Sequence, residues 1–227
     1  MDIRLREIEE RGFTTIDSYL DPHSIDLLIA DITALDLTSG RAGIRNLLEL
    51  LPSVNKLAHS QEIRSLVEPI LGDTTRVVRG IFFDKQPNAN WKVPWHQDLS
   101  IAVKQHLDLP DYHPRSIKEG IPHVQPPTAI LERMLTVRIH LDRTDEWNGA
   151  LKVIPGSHRH GKLTTPQINE WKQLNRAISC NCQAGGIFLM RPLLLHSSSI
   201  AILPSHRRIV HLEYADRQLD NGLEWYY

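Results

Sequence analysis

The stretch VPWHQDLS, residues 93–100, puts His96 and Asp98 on either side of Gln97. In an extended chain, residues two apart leave the same face, so an imidazole and a carboxylate stand side by side. Both are donors that a first-row transition metal accepts. A third donor has to come from another strand, and the candidates are His140, His158, His160, His196, His206 and His211. His196 stands out because it ends the apolar run in RPLLLHSSS, where burying an imidazole costs free energy unless it is hydrogen-bonded or ligates something. His96, Asp98 and His196 together would form a two-histidine, one-carboxylate face with three metal positions open, the donor set of non-haem iron(II) oxygenases. Zinc accepts the same donors, so a zinc hydrolase or a non-redox, cupin-like metal-binding protein is the alternative.

An oxygenase of this kind that takes 2-oxoglutarate as cosubstrate needs a buried arginine for the distal carboxylate. The segment HSSSIAILPSHRRIVHLEY supplies Ser198 and, beyond a short Pro-containing loop, the adjacent Arg207 and Arg208. Alternation sends the two arginines to opposite faces of the last strand. Read as a hairpin, the segment brings Ser198 and one arginine to the same pocket. In TRVVRGIFFDK, Arg79, Ile81, Phe83 and Lys85 share one strand face. Arg138 in TVRIHLD is flanked by apolar residues and, pointing inward, needs an anionic partner.

The elements that would position these groups fall into two stretches. Residues 1 to about 72 read as helical: DIRLREIEE stopped by Gly12, DPHSIDLLIADITAL with Asp21 as N-cap and Pro22 in the first turn, then VNKLAHS and EIRSLVEPILG. A short strand, FTTIDSYL, interrupts them. From about 75 to 214 the pattern is short strands and turns, with one helix opening at Pro166. Residues 105–129 carry five prolines and read as a long irregular connection, with GIPHVQPP a candidate lid. Asn148-Gly149 and Pro155-Gly156 mark tight turns, and GIRNLL, 43–48, is a possible pocket edge. The expected fold is mainly β with flanking helices (α+β), a two-sheet jelly roll in one domain spanning 1–227.

PWHQD, NGALKVIPGSHRHG, LLLHSSS and HRRIVHLEY resemble the phytanoyl-CoA dioxygenase superfamily of iron(II)/2-oxoglutarate-dependent oxygenases, over about residues 12–214. The resemblance implies a double-stranded β-helix, with iron held by His96, Asp98 and His196, and O2 and 2-oxoglutarate as cosubstrates. It selects Arg207 over Arg208, with Ser198, for the 2-oxoglutarate carboxylate. It also makes the strand of Arg79 and Lys85 a source of cosubstrate or substrate contacts; Phe83, Gln97 and Arg138 are further candidates for the substrate side. Iron halogenases of that fold lack the carboxylate ligand, so Asp98 favours hydroxylation or a related oxidation.

Composition narrows the partners. A formal net charge of −1 and the lack of a long basic run argue against nucleic acid, and the apolar runs fall short of a membrane span. The charged opening MDIRLREIEERG is not a secretory signal. Cys180 and Cys182 sit too close in sequence for an unstrained disulfide and read as reduced thiols, so the expected setting is cytoplasmic. The expected partner is a small molecule; Arg79, Arg138 and Lys85 fit an anionic one, and equally the cosubstrate. Nothing in the sequence speaks to oligomeric state.

Overall fold

The computed structural model describes residues 2–35 and 43–227. The chain opens with α1 (Ile3–Glu10), capped by the Asp2 carboxylate on the Arg4 amide, and β1 (Phe13–Ile16). The helix α2 (Pro22–Ala34) starts where the sequence predicts, with Asp21 accepting from the Ser24 amide and Pro22 in the first turn. After β2 (Gly43–Ile44) come α3 (Leu47–Leu50), α4 (Pro52–Ala58) and α5 (Gln61–Leu71). Strands then dominate: β3 (Arg76–Lys85), β4 (Val93–His96), β5 (Ile101–Ala102), β6 (Arg115–Lys118) and β7 (Ile121–Val124). The short helix α6 (Thr128–Leu131) leads into β8 (Met134–His140) and β9 (Leu151–Val153); α7 (Thr165–Leu174) then precedes β10 (Ile178–Cys180), β11 (Ile187–Met190), β12 (His196–Ser198) and β13 (Arg207–Ala215).

The strands form a six-stranded sheet, β1-β11-β8-β13-β3-β2, a four-stranded sheet, β10-β9-β12-β4, and a three-stranded sheet, β5-β7-β6. This corrects the expectation of a mainly-β jelly roll or double-stranded β-helix. Among the described residues helix makes up 28% and strand 30%, so the fold is mixed α/β, and its sheets are open rather than closed into a barrel. In each sheet the two outermost strands pair with nothing across the gap. The physical reason lies in the helices: they do not merely brace a barrel but form one side of the main core, covering a whole sheet face.

Period-two alternation divides that face from the other. Val210, Leu212 and Tyr214 of β13, with Leu135, Val137 and Ile139 of β8, pack against apolar residues of α2 to α5. The residues between them, Arg207, Ile209, His211 and Glu213 on β13 and Arg138 on β8, face the opposite way. Gly80 allows the close approach of α3, because a Cβ there would lie 2.7 Å from Leu48 Cγ. One side of the sheet is therefore a core, and the other carries a charged stretch along β3, β13 and β8 beside an apolar cluster at β1 and β11.

The proline-rich stretch 105–129 is not the wholly irregular connection expected. It carries the β6–β7 hairpin, in which Lys118 pairs with Ile121. The two loop residues, Glu119 and Gly120, both have positive φ (53° and 81°), the mirror-image turn that matches strand twist. No helix among the described residues is long and apolar enough to cross a membrane.

Candidate metal centre and its pocket

His96 ends β4, and His196 starts β12 directly opposite it in the antiparallel register. Asp98 lies just past the end of β4, its amide donating to the Pro192 carbonyl at 2.9 Å. Each imidazole is oriented by the same local device: Nδ1–H donates to the carbonyl two residues earlier, Pro94 O at 2.9 Å and Leu194 O at 2.8 Å. That fixes the tautomer and leaves both Nε2 lone pairs free. The Nε2 atoms face the two Asp98 oxygens at 3.6 Å each, too far for hydrogen bonds. Ligand atoms of all three residues fall within 4.8 Å of one another. Three acceptors turned on one point, with no proton between them, is an arrangement that a cation completes.

The electrostatics agree. Burial opposes a charged Asp98, but His196 and His96 outweigh it and hold the carboxyl well below its usual range. Burial pushes His196 down to about 4, so the ring is neutral and free to donate its lone pair. Gln97, between two of the donors, borders the cavity, but its amide is engaged elsewhere. Nε2 donates to Gly161 O (2.8 Å) and Leu193 O (2.7 Å), and Oε1 accepts from the Leu163 amide (2.8 Å). It ties the metal loop to two neighbouring segments.

The other third-ligand candidates lie elsewhere. His140 bonds Thr144, His206 pairs with Asp84, His158 reaches Glu9 O, and His160 packs on Trp171. His211 borders the same cavity, but Arg138 donates to its Nδ1 at 2.9 Å.

Ser198 and Arg207 do converge, though not through a hairpin: β12 and β13 belong to different sheets. Both side chains donate to the Gly149 carbonyl, Ser198 Oγ at 2.8 Å and Arg207 Nη1 at 2.5 Å. Gly149 holds φ +80°, and a Cβ there would lie 2.8 Å from Ser199 O. The NG turn read in the sequence thus lets this carbonyl reach both groups. Lys85, fully buried, donates to Ser198 Oγ (2.8 Å) and Ser199 O (2.6 Å). Arg207 is buried, and its Nε lacks a partner among the described residues. Burial, with Arg138 adding to it, brings the Arg207 guanidinium down to about 9, and burial with Arg207 brings Lys85 down to about 7. Two desolvated cations without a carboxylate partner favour an arriving anion. Arg208 points away, with Asp142 accepting at 2.7 and 2.9 Å.

The cavity of about 390 Å³ is bordered by the triad, Arg207 and Ser198 on one side and by Arg79, Phe83 and Arg138 along the β3–β13–β8 wall. Phe83 stands edge-on to His211, with 5.7 Å between centroids. The sequence singles out neither Glu213 nor Lys118 and gives His211 no place in the wall, whereas Arg45 lies in GIRNLL, the stretch offered as a possible pocket edge. Glu213 accepts from Arg79 Nη1 (3.1 Å) and His211 Nε2 (3.3 Å). Burial works against its charge, but Arg79 and His211 keep its carboxyl below the ordinary range. The signal was present, since 207, 209, 211 and 213 fall on one face of a strand.

A family model described as phytanoyl-CoA dioxygenase (PhyH) matches residues 8–208. A curated protein, the probable alpha-ketoglutarate-dependent hypophosphite dioxygenase of Stutzerimonas stutzeri, is 24% identical over 197 residues, which is 77% of this chain and 59% of that protein. The chain therefore spans less than two thirds of that relative's length. Among solved structures, apo EctD from S. alaskensis superposes with a TM-score of 0.75 at 16% identity, covering 97% of this chain and 79% of that one. The carbocyclase SnoK from nogalamycin biosynthesis gives 0.74 at 16% identity, covering 96% and 85%. At these identities the structural likeness is one of fold.

Proposed function

We propose, since the chain belongs to the phytanoyl-CoA dioxygenase family, that it is an iron(II)- and 2-oxoglutarate-dependent dioxygenase that oxidises a small molecule. The observation that carries this reading is the pairing of two sites: a converging His96, Asp98, His196 donor set beside a buried Arg207 whose Nε has no partner among the described residues. A zinc hydrolase has no use for the second site. The iron, when bound, supplies the redox chemistry by which O2 decarboxylates 2-oxoglutarate to succinate and oxidises the substrate.

The protein's own part is to hold and orient. His96, Asp98 and His196 would hold the metal, beside the cavity from which its other ligands would come. Arg207, with its free Nε, takes the distal carboxylate of 2-oxoglutarate; Lys85 and Ser198 add charge and a hydroxyl beside it. Arg138, locked to His211, sets the positive wall between clamp and metal. Retention of Asp98 fits hydroxylation or a related oxidation. The cytoplasmic placement belongs to the same proposal and rests on Cys180 and Cys182, which are buried and unpaired.

The test is succinate formation by anaerobically iron-loaded protein given 2-oxoglutarate and then air, alongside calorimetric 2-oxoglutarate binding. Slow succinate release in wild type, absent in His96→Ala, is the expected result. If the metal-loaded wild type neither forms succinate nor binds 2-oxoglutarate, the oxygenase reading is wrong.

A further inference from the structure

Five cationic side chains border the cavity, Arg45, Arg79, Lys118, Arg138 and Arg207, against two carboxylates, Asp98 and Glu213. Iron(II) and a 2-oxoglutarate dianion cancel each other's charge, so a positive excess persists with both bound. Position shows where that excess lies. On the β3–β13 ladder, Arg207 pairs with Lys85 at one end and Glu213 with Arg79 at the other. Six residue steps of a strand separate the two ends by roughly 20 Å of backbone. A five-carbon diacid, at most about 6 Å along its carbon–carbon bonds, does not serve both.

The far end is built from three separate elements. Arg79 comes from β3. Arg45 follows β2, which pairs with β3 through Ile44 and Phe82. Lys118 ends β6, at the tight hairpin whose Glu119 forms an ion pair with Arg45, Oε1 to Nε 3.2 Å, and so links that hairpin to the residue after β2. Arg79 is buried and gives one N–H to Glu213; among the described residues no other protein acceptor takes its remaining N–H groups, and it borders the cavity. Lys118 is half-buried and has no carboxylate partner among the described residues. Three cations gather at this end of the cavity against two carboxylates, Glu213 on Arg79 and Glu119 on Arg45, so one positive charge, that of Lys118, is left without a partner among the described residues and favours an anion there.

We propose that Arg45, Arg79 and Lys118 seat the primary substrate by an oxyanion head group, so that the substrate is a small acid bearing a carboxylate, phosphate or phosphonate. The inference rests on the oxygenase reading above for what is bound at the other end. It places the substrate's charged group away from Arg207 and leaves the uncharged part of the molecule beside Phe83 and Ile81, toward the metal donors. Burial, and after it Arg79 and Arg45, hold the Lys118 ammonium below its ordinary pKa, as expected of a cation short of a counter-charge.

The probes are methylphosphonate and propionate, with neutral propionamide as the control, titrated by calorimetry into zinc(II)-loaded protein with and without saturating 2-oxoglutarate. At least one acid binds while propionamide does not, and the stronger acid identifies the head group. Lys118→Met and Arg45→Met each weaken that binding about tenfold or more and leave 2-oxoglutarate affinity within about twofold, a match that also reports an intact fold. The proposal is overturned if neither acid binds at millimolar concentration, if both variants bind it as wild type does, or if excess 2-oxoglutarate displaces it. It is equally overturned if both variants lose 2-oxoglutarate affinity, because the cluster would then serve the cosubstrate. Failure of the wild type to bind 2-oxoglutarate would instead refute the oxygenase reading, and the acid titration without 2-oxoglutarate still reports on the cluster.

Discussion

His96 and His196 stand opposite each other across the β4–β12 ladder, with ring centroids 4.2 Å apart, so donors 100 residues apart in sequence form one cross-strand pair. Asp98 reaches the same point from the turn that follows. Because each ring is already oriented by its own Nδ1–H, removal of any single donor leaves the other two in place but incomplete. His196→Ala and Asp98→Ala should each lower iron(II) affinity by about 100-fold or more, with little change in the unfolding midpoint. Metal content after gel filtration checks this, and a variant that retains stoichiometric iron would remove its residue from the ligand set.

Gln97 acts on that centre through the backbone. Its three hydrogen bonds join the loop between the donors to Gly161, Leu193 and Leu163. Gln97→Leu keeps the volume and deletes all three, stranding an amide and two carbonyls at about 1–3 kcal/mol for each one that stays buried. Metal affinity should fall by roughly tenfold through lost positioning. A Gln97→Glu variant, which restores only the acceptor, should recover less than half of the lost stability in urea titrations.

Gly149 is the joint of the proposed carboxylate clamp. Its carbonyl accepts from both Ser198 and Arg207, and its φ of +80° with Ser199 O close by leaves no room for a side chain. Gly149→Ala should cost on the order of 1–3 kcal/mol in stability. It should also weaken 2-oxoglutarate binding more than metal binding, because the displaced carbonyl no longer aligns Arg207. Equal losses in both affinities would mean that the substitution disturbs the whole pocket instead.

The metal donors were legible because their chemistry is written locally: a His-x-Asp pair and a histidine closing an apolar run. The helix starts were legible for the same reason, since Asp21 with Pro22 is a local cap. What sequence could not supply was which strands lie side by side. The sequence reads Ser198 and Arg207 as hairpin neighbours, whereas they meet from two different sheets at a carbonyl that neither adjoins in sequence. The fold class was misjudged because the N-terminal helices were weighed as braces, although α2 to α5 build half of the main core. Glu213 and Lys118 go unmarked because a charged residue in an isolated strand reads as solvated; the β3–β13 pairing sets Glu213 beside Arg79, and the β6–β7 hairpin of a separate sheet brings Lys118 to the same cavity.

Lys85 should give the proposed clamp a pH dependence. Burial, with Arg207 behind it, holds its ammonium down to about 7 in the folded protein, against 10.5 for the free side chain. Between those values the unfolded chain binds more protons than the folded one, so this group makes stability rise with pH from about 7 toward 10.5. Lys85→Met removes the penalty: its stability gain over wild type should be largest at and below pH 7 and shrink as pH climbs. Binding should run the other way. An arriving carboxylate stabilises the ammonium, so 2-oxoglutarate affinity is strongest below about 7 and declines above it, with proton uptake on binding in that upper range. Calorimetry in two buffers of different ionisation enthalpy at pH 8 measures the uptake directly. Wild type should take up a fraction of a proton that Lys85→Met does not, and equal uptake in both would assign the titration to another group.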